Sequence, residues 1–159
     1  MAAIEEQMQR NVQLKNEFFL VDAVNILLER GALMRVEKVE TWLDTGTIDA
    51  TLETNQILLR RINVKPKERP SVKVLPPVFI HPSAEISEAV IGPHASIGPD
   101  CKISQAVIQD SIIEAGTQIT RAALTHSLIG RNCVVEGQPD NEEASSLNIG
   151  DNSEVRFEA

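Results

Sequence analysis

The fold is decided by residues 80–135, which read IHPSAEISEAVIGPHASIGPDCKISQAVIQDSIIEAGTQITRAALTHSLIGRNCVV. Large aliphatic residues recur in this stretch every five or six positions, and every third one returns after 16 or 17 residues. They sort into three columns: Ile80, Ile97, Ile113 and Ile129; Ile86, Ile103, Ile119 and Val135; and Ile91, Ile108 and Leu124. A helical repeat would need a longer period, so this one indicates a coil with three flat sides.

The three columns predict a parallel β-helix, in which each side of each turn is one short strand and every layer buries one aliphatic residue per side. We expect a mainly β fold, with a β-helix of about four to five coils over residues 78–159. The columns are interrupted at about residues 137–147, which predicts a loop thrown out of the coil. The spacing resumes with Ile149 and Val155, which predicts a final partial coil.

The residues before the repeat have a different composition and predict a small α/β segment over residues 1–61, ordered helix, strand, helix. One or two helices are expected in residues 4–30, with Gly31 as the stop, followed by a short strand over 33–39. Thr47 is positioned to cap a second helical stretch that runs to about Leu59. Residues 62–77 contain four prolines and predict an extended linker.

The two cysteines each lie four residues after a first-column isoleucine, so Cys101 and Cys133 are expected at the same corner of the coil, two layers apart. Layers stack at about 4.8 Å, which separates the two residues by roughly 10 Å. A disulfide needs Cα atoms within about 7 Å. We therefore predict two free, buried thiols.

Composition excludes several classes of partner. The formal net charge is −8, so the phosphates of nucleic acid or of an anionic membrane surface would repel the chain. No run of 18 apolar residues is present, and the first ten residues lack the apolar region of a signal peptide. These features, with only two cysteines, predict a cytoplasmic protein.

The segment that carries chemistry is VETWLDTGT, residues 39–47. Asp44 precedes a glycine-containing turn that opens a helix, and a carboxylate there can hold a Mg²⁺ ion that bridges phosphate oxygens. Gly46 lets backbone approach closely, and the N-terminus of the helix favours anions. From the residues alone the metal-site signal is weak, because an Asp before Thr-Gly more often only caps its turn.

These segments resemble one enzyme family. WLDTGT followed by ATLETNQILLR is similar to the end of the catalytic domain in glucose-1-phosphate thymidylyltransferases, and FFLVDAVNILLERGALMRV resembles the helix and strand before it. The later IGDNSEV resembles the tail of the family's long form, which carries a left-handed β-helix built from hexapeptide repeats. The resemblance covers nearly the whole chain and implies the C-terminal portion of a sugar-1-phosphate nucleotidyltransferase, with a left-handed coil.

The resemblance implies roles for three residues. It makes Asp44 a ligand of the catalytic Mg²⁺ of a parent enzyme, and it places Trp42 and Gly46 beside the substrates. The parent would make a nucleoside diphosphate sugar, dTDP-glucose from dTTP and glucose 1-phosphate by closest resemblance, with uridylyl, guanylyl and adenylyl relatives left open.

One departure from the family limits the chain itself. The family's glycine-rich phosphate loop does not occur here, because the eight glycines are scattered. We therefore expect the 159 residues alone to be inactive, without a cofactor of their own, and to represent a truncated polypeptide.

Two other functions stay open for the β-helix. Many left-handed β-helices are acyltransferases that bind acetyl-CoA and use a histidine as general base, for which His81, His94 and His126 are the candidates. His94 and His126 fall on one face, but at different offsets from the column residues before them, so we expect neither a ladder nor an acidic partner. The other function is assembly into a homo-oligomer, with a trimer favoured, through β-helix faces that carry outward aliphatics: Val90, Val107, Ile112 and Leu128.

Overall fold

The computed structural model describes residues 2–62, 69–137 and 144–157. The chain forms two compact units, Met1–Trp42 and Leu43–Ala159. The segment predicted as 1–61 spans this division, because its last helix belongs to the second unit.

The first unit is a pair of helices, α1 (Ala2–Gln9) and α2 (Leu20–Glu29). They pack through Ala3, Ala23 and Ile26, which are all buried. Gly31 follows α2 with φ +79°, and its N–H donates to Leu28 O at 2.9 Å, so the predicted stop is confirmed.

The strand predicted over 33–39 is wrong. The structure shows no strand there, and Leu33 and Val36 are almost completely exposed. A strand is stable only where a partner accepts its backbone hydrogen bonds, and no described segment pairs with this one.

The second unit begins with α3 (Ile48–Arg61) and continues as a parallel β-helix with three sheets and up to five layers. The predicted β-helix is confirmed, and its geometry fits the left-handed class. The β1 sheet contains β1 (Val72–Val74), β4 (Ala89–Ile91), β7 (Val107–Gln109) and β10 (Ala123–Thr125). The β2 sheet contains β2 (Val78–Ile80), β5 (Ala95–Ile97), β8 (Ile112–Ile113), β11 (Leu128–Ile129) and β13 (Asn148–Ile149). The β3 sheet contains β3 (Glu85–Ser87), β6 (Lys102–Ser104), β9 (Gln118–Thr120), β12 (Val134–Glu136) and β14 (Glu154–Arg156).

The three aliphatic columns form the core of this unit, as the sequence predicts. Each column stacks in register along one sheet, for example Ile80 on Ile97 and Ile97 on Ile113. Residues of the inner layers, such as Ile97, Ile119 and Leu124, have no exposed surface. The final partial coil is also present, since Ile149 stacks on Ile129 and Val155 stacks on Val135.

The strands start earlier than the sequence suggests. β1 lies inside the stretch predicted as a linker, 62–77, yet it pairs with β4 through Val72–Ala89 and Val74–Ile91. Residues 63–68 of that stretch lie outside the described residues. Val74 was missed because the third column was traced only from Ile91 onward.

Most of the loop predicted at about 137–147 also lies outside the described residues, which omit 138–143. At its two ends the chain remains tied to the coil. The Gly137 N–H donates to Thr120 O at 2.9 Å, and the Ser145 N–H donates to Ala123 O at 2.8 Å.

Each corner of the coil turns through a residue with positive φ. One corner has Asp100, Gly116, Asn132 and Asn152, with φ of 57°, 72°, 52° and 60°. Gly, Asn and Asp adopt this left-handed conformation at the lowest cost, which explains their recurrence there. A Cβ on Gly116 would lie 2.4 Å from Asn132 Oδ1, so the Asn132 side chain would have to shift to accommodate it.

Cys101 and Cys133 are both buried and both free, as predicted. Their thiols donate to carbonyls of the neighbouring layer, Cys101 to Glu114 O and Cys133 to Gly150 O, each at 3.1 Å. Burial raises the pKa of the Cys101 thiol, which keeps it protonated and inert at neutral pH.

Neighbouring residues of β9 test the stacking directly. Ile119 is fully buried, whereas Gln118 points outward and is exposed. Ile119→Ala is expected to lower the free energy of unfolding by about 2–5 kcal/mol, because it removes the central member of a column and leaves a cavity. Urea denaturation measures the loss. The matched control Gln118→Ala should change stability by less than about 0.5 kcal/mol; equal effects of the two would contradict the predicted core.

Candidate functional site

The Asp44 turn stands at the start of α3. Asp44 is exposed, and its Oδ1 accepts a hydrogen bond from the Gly46 N–H at 2.9 Å, which closes an Asx turn. Thr47 is the N-cap of α3, as predicted, and its Oγ1 accepts from the Ala50 N–H at 3.2 Å. A Cβ on Gly46 would lie 3.2 Å from Asp44 Oδ1, so any larger residue there would crowd the carboxylate.

Two threonines tie the turn to the helix. Thr54 Oγ1 donates to Asp44 O at 2.7 Å. Thr51 Oγ1 contacts Thr47 O at 2.8 Å and Thr45 O at 3.3 Å. The turn and the first two turns of α3 are therefore one locally rigid piece.

A magnesium ion fits this turn only in part. Mg²⁺ at phosphoryl-transfer sites is held by one or two carboxylates together with substrate phosphates. Asp44 offers one such carboxylate. In the part of the chain that the structure describes, no three His, Cys, Asp or Glu side chains lie close enough to hold a metal ion. Asp44 thus suits the role of a single ligand and does not complete a site.

Trp42 has 86% of its surface exposed and is the last residue of the first unit. Asp44 and Gly46 belong to the second unit. The structure therefore brings Asp44 and Gly46 together. For Trp42 the role beside the substrates stays a prediction.

Helix α3 lies along one corner of the β-helix, which we call the histidine corner and which consists of His94, Asp110 and His126. Each has positive φ, at 57°, 46° and 48°. His94 and Asp110 are in contact, Nδ1 to Oδ1, at 3.0 Å. The expectation that the two histidines form no ladder and lack an acidic partner is therefore wrong.

The register explains the error. Counted back from the next first-column residue, all three corner residues lie at the same offset, three positions before Ile97, Ile113 and Ile129. The Gly92–Pro93 segment adds one residue just before His94, so offsets counted forward from the previous column differ. Counting backward would have revealed both the ladder and Asp110.

Four residues of α3 contact the histidine corner or the strand after it. Asn55 donates through Nδ2 to His94 O at 3.3 Å and accepts through Oδ1 from Ser96 Oγ at 2.6 Å. Gln56 Nε2 donates to Asp110 Oδ1 at 3.1 Å, Arg60 Nη2 lies 3.3 Å from His94 Nε2, and Asp49 Oδ1 lies 2.9 Å from His126 Nε2.

The same face of α3 also carries its apolar contacts. Leu52 and Leu59 are 1% and 3% exposed and follow one another at helical spacing with Asn55 and Gln56. The sequence analysis did not predict this face. Two leucines seven residues apart indicate a buried side of a helix, but they do not indicate which part of the chain covers it.

In His94 and His81, the ring nitrogen that a general base would use already has a hydrogen-bond partner. Guanidinium groups only donate, so His94 Nε2 accepts from Arg60, and the network assigns the remaining proton to Nδ1, facing Asp110. The lone pair that a base would use is thus occupied. His126 pairs with Asp49, and His81 Nδ1 accepts from the Ser83 N–H at 3.2 Å within its own turn.

Comparison with known proteins finds one matching family and several similar proteins. The GMPPB C-terminal domain family matches residues 74–156. A glucose-1-phosphate thymidylyltransferase of Streptomyces antibioticus is 28% identical over 91% of this chain and 47% of its own length. A probable mannose-1-phosphate guanyltransferase of Schizosaccharomyces pombe is 33% identical over 72% of this chain and 30% of its own length. The low-salt glycan biosynthesis nucleotidyltransferase Agl11 of Haloferax volcanii is 27% identical over 90% of this chain and 47% of its own length.

The chain spans about half the length, or less, of the curated relatives it matches. Among its described residues, no helix combines the length and apolarity needed to cross a membrane.

The acyltransferase function makes a prediction for acetyl-CoA binding. The chain has a formal net charge of −8, which disfavours a ligand that carries several phosphates. Isothermal titration of the chain with acetyl-CoA is expected to give no saturable heat at millimolar ligand. Saturable binding to the unaltered chain with one site per subunit would contradict this conclusion and restore the acyltransferase function.

Proposed function

This chain belongs to the GMPPB C-terminal domain family, and from that membership we propose that it is the C-terminal region of a sugar-1-phosphate nucleotidyltransferase. In this reaction an oxygen of the sugar phosphate attacks the α-phosphorus of a nucleoside triphosphate, and pyrophosphate leaves. The relatives named above are nucleotidyltransferases or probable ones by description, which supports the reaction class.

The observation that carries the proposal is the Asp44 turn. An exposed carboxylate stands at the N-terminus of a helix, where backbone N–H groups and the helix dipole favour phosphate. The turn is closed by Gly46 and tied back by Thr54 and Thr51, so the carboxylate has a fixed direction. In an active site this arrangement would hold the Asp44 oxygens ready for a cation beside the triphosphate.

Asp44 would be one ligand of Mg²⁺, which when bound offsets charge that develops on the transferring phosphate. Trp42 and Gly46 would line the substrates. The chain has no glycine-rich phosphate loop, so under this proposal the remaining phosphate-binding residues would come from other parts of a longer polypeptide, and the 159 residues alone are expected to be inactive.

For the substrates we favour dTTP and glucose 1-phosphate. The thymidylyltransferase relative aligns with 91% of the chain and the guanyltransferase relative with 72%. A cytoplasmic location is part of this proposal, because two free buried thiols suit a reducing compartment.

The β-helix itself would serve assembly into a homo-oligomer, with a trimer favoured. Of the four outward aliphatics, Ile112 and Leu128 lie on the β2 sheet beside Ser96, which α3 contacts, and both are half-buried. Val90 and Val107 lie on the β1 sheet, and Val107 is 41% exposed. The β1 sheet is therefore the face we assign to contact between copies.

Replacement of Asp44 tests the proposal. In the complete polypeptide that contains these residues, Asp44→Asn is expected to reduce nucleotidyl transfer by about 100-fold or more, because it removes a charged ligand of the transition-state cation. Pyrophosphate release from dTTP and glucose 1-phosphate measures the rate, with GTP and mannose 1-phosphate compared in parallel.

The matched control is Glu53→Gln, which removes an exposed carboxylate from the same helix. It should leave the rate within about twofold, because surface substitutions usually change stability little and Glu53 has no part in the proposed metal site. A rate for Asp44→Asn equal to that of this control would show that Asp44 is only a turn-capping residue.

A further inference from the structure

The contacts of α3 with the histidine corner point to a function in addition to packing. We propose that Asn55, Gln56, His94 and Asp110 are positioning residues, which set the orientation of the Asp44 turn against the β-helix. The catalytic importance of this positioning rests on the proposed function. The positioning itself is inferred only from contacts within the second unit.

The Asp44 turn is attached directly to helix α3. Asp44 is bound to α3 through Thr54 at 2.7 Å, and its side chain is closed onto Gly46 at 2.9 Å. Any rotation or shift of α3 is therefore passed on to the Asp44 carboxylate without loss in an intervening loop.

The histidine corner defines where α3 lies. Asn55 is held from both ends of its amide, by His94 O and by Ser96 Oγ, which fixes the helix along its own axis. Gln56 is next in sequence and bonds to Asp110, one layer further along the β-helix, which fixes the rotation of the helix. Leu52 and Leu59 are also buried on this side of α3, but apolar burial alone does not select one register.

The histidine corner is itself fixed. Asp110 Oδ1 accepts from both Gln56 and His94, and Arg60 orients the other side of the His94 ring. The backbone beneath belongs to the stacked coil, since the His94 N–H donates to Pro77 O at 2.7 Å and the Asp110 N–H donates to Pro93 O at 2.9 Å. The histidine corner is thus hydrogen-bonded into the layers of the β-helix.

Such positioning matters for phosphoryl transfer, which depends on alignment more than on covalent chemistry. A displacement of about 1 Å at a catalytic group can lower a rate by roughly 100-fold. A β-helix that holds the Asp44 turn from behind would therefore contribute to catalysis without touching a substrate.

The test uses a double variant of α3, Asn55→Ala with Gln56→Ala. Alanine is the best helix former, so α3 keeps its propensity, and the coil is unaltered. Residual dipolar couplings of the N–H bonds of Gly46 and of α3 are measured in the 159-residue chain, with those of the β-helix strands as the reference frame. In the unaltered chain one alignment tensor should fit all of them. In the double variant the couplings of Gly46 and α3 should fall by about twofold or more, as averaging over several orientations requires.

The control is Glu53→Ala, on the exposed side of the same helix, which should keep the single tensor. Urea denaturation of both variants separates loss of orientation from loss of folding. A double variant whose Gly46 and α3 couplings still fit the tensor of the β-helix would overturn the inference.

A second measurement distinguishes this inference from the proposed function. In the complete polypeptide, the double variant should lower kcat for nucleotidyl transfer at least about tenfold with little change in KM, since alignment and not substrate binding is lost. Absence of transfer by the unaltered polypeptide would defeat the proposed function, and the couplings would still support the positioning of the turn. Transfer with an unchanged kcat in the double variant would overturn the positioning role.

Discussion

The structure depends on one constraint, the stacking of a single aliphatic residue per side in every layer of the coil. Ile97, Ile113 and Ile129 follow one another in register along the β2 sheet. Because each layer is closed by backbone hydrogen bonds to the next, the positions of the corners are set by the core. The histidine corner is a consequence of that repetition: the same offset recurs in three layers, and a residue able to adopt positive φ occupies each.

Repetition also explains why the β-helix can serve as an anchor. A coil of short parallel strands presents a straight row of corner side chains at regular spacing, to which a helix can bind at several layers. Helix α3 binds to this row through Asp49, Gln56 and Arg60. Each of the three contacts a different residue of the histidine corner. The Asp44 turn at its start is then connected to the β-helix through these contacts. Under the proposed function, a carboxylate of the active site is held by a domain outside the substrate pocket.

The sequence predicts the layered core because its signal is local and periodic. Ile103 and Ile119 lie 16 residues apart and belong to the same column, which the spacing alone reveals. The final coil with Ile149 and Val155 also follows from this spacing. Thr47 and Gly31 are likewise found from short-range capping rules. The contacts of α3 could not be found in this way, because Asn55 and His94 are separated by 39 residues and nothing in either segment names its partner. The strand expected over 33–39 failed for the related reason that a strand depends on a neighbour that local pattern cannot supply. The Asp44 carboxylate was located from resemblance; its Asx turn follows from Asp and Gly chemistry, whereas its fixation by Thr54 required the structure.

Native-state hydrogen exchange of the 159-residue chain tests most directly whether the β-helix holds α3 in place. An isolated helix of 14 residues is marginal in water, so protection of the α3 amides has to come from the β-helix. We predict that amides near Leu52 and Leu59 exchange nearly as slowly as those of β5 and β8, in the inner layers of the coil. Fast exchange throughout α3, beside a fully protected β-helix, would contradict it, because the Asp44 turn would then have no fixed support.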